Sequence, residues 1–100
     1  MASRIELDAE TIRTFCGRWQ VTELSLFGSV LREDFGPHSD VDVLVSFSPD
    51  ARWSLFDLVD MEEELESLFG RKVDLVEAVG LRNPFRRKAI LESRQVIHAA

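Results

Sequence analysis

Apolar residues recur along this chain in two alternating rhythms. Ile12, Phe15, Cys16 and Trp19 follow one another at helical spacing. Asp8 stands ahead of them as a cap, with Leu7 and Ile12 at the two positions of a hydrophobic staple. Val21 to Phe27 then reads as a strand. Gly28-Ser29 ends it and opens a short helical segment to about Phe35, and Gly36-Pro37 makes a turn. Val41 to Phe47 is a second strand, rich in β-branched residues. Its Val41, Val43 and Val45 share one face, and Asp40, Asp42 and Leu44 share the other.

The helical rhythm returns after Ser48-Pro49-Asp50. Ser54 to Asp57 resembles a capping box with Asp in place of the usual Glu or Gln. The helix it starts is expected to run to Phe69, with Leu55, Leu58, Val59, Leu65, Leu68 and Phe69 on or near one stripe. Gly70 is its stop, and Val73-Asp74-Leu75-Val76 is a third strand. Asn83-Pro84, a cap followed by proline at the first helical position, opens a last helix. Gln95 to His98 is either a short edge strand or a frayed end, with His98 expected in solvent. Such alternation predicts an α/β (α+β) fold: a small mixed sheet with helices packed on one face, the other open. The connection from Phe27 to Val41 is near the minimum for a crossover, so the first pair can be antiparallel as readily as parallel.

Composition narrows the class. One hundred residues make one domain, spanning 1–100. An apolar share of 45% and a charged share of 30% are those of a soluble globular protein. A net charge of −6 argues against broad binding to nucleic acid or an anionic membrane, but not against a nucleotide carried with Mg²⁺. No apolar run approaches the roughly 18 residues of a spanning helix. Residues Met1 to Leu7 lack the apolar core of a signal peptide. The single cysteine, Cys16, excludes an intramolecular disulfide and a Cys-rich zinc site, and a cytoplasmic location is expected. On its apolar stripe Cys16 reads as a core residue, not a nucleophile.

Charge is uneven. Asp57 to Glu66 is acidic, while Arg82, Arg86, Arg87, Lys88 and Arg94 face only Glu92 near the end. These are solvated helix faces by default; the sharper reading of the basic end is contact with a phosphate or an acidic partner. Trp53 reads as a loop anchor, and His38 as a turn residue.

The chemistry lies between the first and third strands. Gly28-Ser29 at a helix start offers N–H groups to a phosphate, and Arg32, one turn on, can reach the same anion. Gly28 lets the backbone come close. Asp40 and Asp42 point the same way by the period of two, and Asp74 interrupts an apolar strand. If the second and third strands are neighbours, the three carboxylates converge. A hard divalent cation removes their mutual repulsion, and Mg²⁺ prefers oxygen ligands. A calcium loop does not fit, since Val45 stands where its glycine should be.

Leu26-Phe27-Gly28-Ser29, Asp40-Val41-Asp42 and Lys72-Val73-Asp74-Leu75-Val76 together resemble the minimal nucleotidyltransferase (MNT) domain of the DNA polymerase β superfamily. The likeness extends through Asn83-Pro84-Phe85, so it covers Val21 to the C-terminus. It implies a palm-like nucleotidyltransferase fold with ATP as substrate. It implies phosphate binding by Gly28 and Ser29, Mg²⁺ at Asp40 and Asp42, and Asp74 as the third catalytic and metal-binding carboxylate. Small stand-alone members are commonly MntA-type antitoxins paired with a helical HEPN toxin. The resemblance therefore implies transfer of AMP from ATP to a tyrosine of that toxin. The family usually has Arg where Val30 stands and Gly where Glu33 stands. One phosphate-binding cation is lost and one negative charge gained. The alternative is accordingly a weak or inactive antitoxin or regulatory subunit that neutralises its partner by binding. An acceptor of small-molecule or RNA type is the third possibility, although such members usually carry an added domain.

Overall fold

Four strands and three helices follow one another in a computed structural model that describes residues 8–28 and 40–100. The expected staple residue Leu7, the segment after Gly28, the Gly36-Pro37 turn and His38 lie outside the described residues. Helix α1, Ala9–Arg18, begins where Asp8 accepts from the Glu10 N–H at 3.1 Å and the Thr11 hydroxyl at 2.9 Å. Strand β1 is Val21–Phe27 and β2 is Val41–Phe47. Helix α2, Leu55–Phe69, starts with the reciprocal box of Ser54 and Asp57 and stops at Gly70, which is left-handed at φ 67°. Strand β3, Val73–Glu77, leads into a 3₁₀ turn, Ala78–Gly80. Helix α3, Pro84–Ser93, is capped by the Asn83 side chain and followed by β4, Gln95–Ala99.

The sheet order is β3-β2-β1-β4. β1 runs antiparallel to both β2 and β4, while β2 and β3 are parallel. The segment Gln95 to His98 is thus an edge strand, and the first pair is antiparallel. His98 stands opposite Leu24 and is half-buried, because pairing with β1 takes it out of solvent.

Alternation along the strands sorts the core into two layers. Leu24, Leu26, Val41, Val43, Val45 and Val73 meet Ile12, Phe15 and Cys16 of α1 and Met61, Leu65 and Phe69 of α2. The other face carries a smaller cluster: Phe27 and Leu44 meet Leu81 and Ile90, the one buried residue of α3. Helices α1 and α2 therefore cover one face, and α3 rests on part of the other through Ile90, with Leu91 partly buried beside it.

The stripe of α2 differs from expectation in three of its residues. Leu55 is 74% exposed, Val59 48% and Leu68 37%, while Met61, outside the expected stripe, is fully buried. Leu58, Met61, Leu65 and Phe69 are three or four residues apart and share a face. Val59 sits about 100° round the helix from Leu58, and so faces away.

Trp53 is the anchor of the loop after β2. Its indole N–H donates to the Trp19 carbonyl at 2.9 Å, and the two rings meet edge to face with centroids 5.1 Å apart. The Trp19 indole in turn donates to Glu64 at 2.9 Å, which also pairs with Arg18. This ties α1, the loop and α2 together behind the sheet.

Candidate active site

The strand directions bring the end of β1 and the beginnings of β2 and β3 to one edge of the molecule. Phe27 pairs with Asp42, and Asp42 pairs with Asp74, so the three residues form one row across the sheet. Paired residues on adjacent strands point to the same face, about 4.8 Å apart. Asp42 and Asp74 therefore project together from the face that carries Phe27 and Leu44. Asp42 is half-buried and Asp74 is exposed. Asp40 is exposed immediately before β2 and two residues from Asp42.

Gly28 lies against this row. Its φ is 73°, a region that side chains rarely adopt. A Cβ there would run into an Asp42 carboxylate oxygen and sit 3.3 Å from Asp42 Cγ. From the sequence, Gly28 is expected to let a phosphate approach the backbone closely. The structure adds a nearer reason: only glycine leaves room for the Asp42 carboxylate.

The start of β3 is held by two bonds. The Val41 N–H donates to the Lys72 carbonyl at 2.8 Å. The Val73 N–H donates to the Glu66 carboxylate at 3.0 Å. Glu66 also accepts the Gly70 N–H on its carbonyl at 2.9 Å. One residue near the end of α2 thus fixes both the stop of the helix and the entry of the strand that carries Asp74. Nothing in the sequence marked Glu66, which is one of several acidic residues on that helix.

Ser29, Arg32, Val30 and Glu33 lie outside the described residues. Among the described residues no group of three His, Cys, Asp or Glu side chains is arranged to hold a metal ion. Mg²⁺ does not require one. It keeps several waters and is usually bound by one or two carboxylates plus substrate phosphates. Asp42 and Asp74, paired across β2 and β3, offer oxygen donors of that kind, and Asp40 is not brought into one three-carboxylate group with them.

Cys16 takes no part in the site. Cys16 is 1% exposed, and burial pushes its thiol up to about 11, so it stays a neutral core group. Arg82, Arg86, Arg87 and Lys88 are exposed, and Arg94 pairs with Glu23 at 3.1 Å. A cavity of about 290 Å³ lies at the other end of β2, walled by Phe47, Pro49, Trp53 and Val79, with none of the three aspartates in its lining. Among the described residues no helix is long and apolar enough to cross a membrane.

Comparison with known proteins gives a consistent picture. The family profile of the nucleotidyltransferase domain matches residues 9–97. The protein adenylyltransferase MntA of Thermococcus cleftensis is 37% identical over 75 residues, which are 75% of this chain and 74% of that protein. A solved structure described as a candidate minimal nucleotidyltransferase superposes with a TM-score of 0.68 at 32% identity, covering 90% of this chain and 96% of the other. The MNT antitoxin complex with a tri-AMPylated HEPN toxin of Shewanella oneidensis shares the fold, at a TM-score of 0.64, 16% identity, and 92% and 70% coverage. By the extent of these matches and the fold itself, the chain belongs to the nucleotidyltransferase domain family.

Proposed function

We propose that this chain transfers AMP from ATP to a tyrosine of a HEPN-type toxin and thereby acts as its antitoxin. The observation that carries the reading is the row Phe27–Asp42–Asp74 with Gly28 fitted against Asp42. It sets the carboxylates of two strands side by side, next to the turn that ends β1. Relatives named as protein adenylyltransferases support the choice of a protein acceptor. The AMPylated toxin in the related complex supports the choice of partner.

In this reading Gly28 and Ser29 offer backbone and hydroxyl donors to the triphosphate, and Arg32 adds a cation. Asp40, Asp42 and Asp74 are the groups that would hold Mg²⁺, which when bound neutralises phosphate charge and lowers the pKa of an oxygen nucleophile. Asp74, on the outermost of the three strands, would either help hold the metal or accept the proton of the incoming hydroxyl. The tyrosine oxygen bonds to the α-phosphorus, the bond to the bridging oxygen breaks, and pyrophosphate leaves.

The test incubates the protein with ATP, Mg²⁺ and the product of its neighbouring gene, and reads AMP on tyrosine by mass spectrometry. Absence of transfer by the wild type counts against the reading. Transfer that survives Asp40→Asn with Asp42→Asn removes the assigned site. The departures at Val30 and Glu33 favour a second reading, neutralisation by contact alone. That reading gains if the same double variant still silences the toxin in cells.

A further inference from the structure

We propose that the acceptor polypeptide docks as an added strand along the outer edge of β3, which sets its hydroxyl beside Asp74. This rests on the adenylyltransferase reading above and specifies how that site receives its protein substrate.

Among the described residues β3 has β2 on one side and no strand on the other. The direction of its backbone groups is fixed by two observed bonds. The Lys72 carbonyl accepts from Val41, so Lys72, Asp74 and Val76 turn their N–H and C=O groups toward β2. Val73, Leu75 and Glu77 then turn theirs outward. The Val73 N–H confirms this, since it reaches Glu66 and not β2. Glu66 closes the first outward donor. Leu75 presents the next N–H and C=O and Glu77 the N–H after them, facing no strand among the described residues, while the Glu77 carbonyl opens the 3₁₀ turn Ala78–Gly80.

The order of the row dictates the side of entry. Gly28 ends β1, Asp42 belongs to β2, and Asp74 belongs to the edge strand. With the nucleotide at the Gly28 side, an acceptor arrives from the Asp74 side, and β3 is the first backbone it meets. Main-chain pairing holds an extended segment in register whatever its sequence, which suits delivery of one side chain to one atom. Two carboxylates among five residues, Asp74 and Glu77, disfavour pairing with a second copy of β3, which would bring like charges alongside. A neutral or basic extended segment meets no such penalty. The hydroxyl oxygen of that segment bonds to the α-phosphorus, pyrophosphate departs, and the hydroxyl proton passes to Asp74 and on to water.

The test uses Glu77→Pro, with Glu77→Ala as control. Glu77 has φ −79° and ψ 132°, which proline adopts, and its N–H is not part of the β2 ladder. With the HEPN protein as acceptor, the proline variant is expected to raise the acceptor KM about tenfold, the loss of one or two main-chain hydrogen bonds. Its kcat and ATP affinity stay the same, and the alanine variant keeps the wild-type KM. Hydrogen exchange at the Leu75 and Glu77 amides of the wild type should slow when acceptor is added. Equal KM for the two variants, or unchanged exchange at both amides, overturns the docking mode while the transfer activity stands. Absence of any transfer by the wild type overturns the adenylyltransferase reading itself. If the proline variant unfolds, the exchange measurement alone decides.

Discussion

Asp42 and Asp74 are Cα partners across the parallel pair β2–β3, although 32 positions separate them in the chain. The side chains share a face by register alone. Asn at either position keeps the shape and removes the charge. Each substitution is expected to lower AMP transfer at least about a hundredfold, the scale of a lost acid–base or metal-binding group. Asp74→Asn should leave the melting temperature within a degree or two, because Asp74 is exposed. Kinetics and thermal unfolding on the same samples check both halves.

Gly28→Ala tests the packing of the row. Left-handed backbone costs a side-chain-bearing residue about 1–2 kcal/mol, before any clash with Asp42 is counted. The variant should melt lower and also lose activity, because the Cβ displaces the Asp42 carboxylate. A fully active Gly28→Ala protein would show that Asp42 need not stay where it stands.

Cys16 gives the molecule a basic limit. Its thiol is held at about 11, against 9.0 for the free group, by burial. The folded state keeps the proton that the unfolded state releases above pH 9. Stability from this group is complete below pH 9 and is lost as pH rises toward 11. Denaturant midpoints from pH 8 to 11 should fall, and fall less in Cys16→Ala. The native thiol should also resist iodoacetamide until the chain is unfolded.

Met61 and Val59 differ by two positions and by the whole of the core. Met61→Ala is expected to cost about 2–5 kcal/mol, as buried large-to-small substitutions do. Val59→Ala should change stability by less than about 1 kcal/mol, since Val59 is half in solvent. Chemical denaturation of the two variants ranks them directly.

The periodicities that rest on local chemistry were readable in the chain. Caps at Asp8, Ser54, Gly70 and Asn83 mark helix ends because the capping group lies within three residues of what it satisfies. The strands at Val21, Val41 and Val73 begin where alternation begins. Glu66 was not readable, because its carboxylate bonds an amide seven residues on, beyond the end of its own helix. Nor was the burial of Met61 over Leu55 and Val59, since apolar content does not say which arc of a helix meets the sheet. Asp40, Asp42, Asp74 and Gly28 were visible as a set, but their pairing required strand order. The second reason for Gly28 required Asp42 in place.

The central position of β1 has a consequence for how the chain acquires its shape. β1 pairs on one side with β2 and on the other with β4, so Leu26 waits for Gln95. A chain emerging from the ribosome exposes one flank of its middle strand until the residues after α3 have been made. Folding is then a late and collective event, governed by long-range closure and slowed by it. A break between Ser93 and Gln95 does more than trim an end: it uncovers the flank of β1 and opens the sheet to mispairing with other chains.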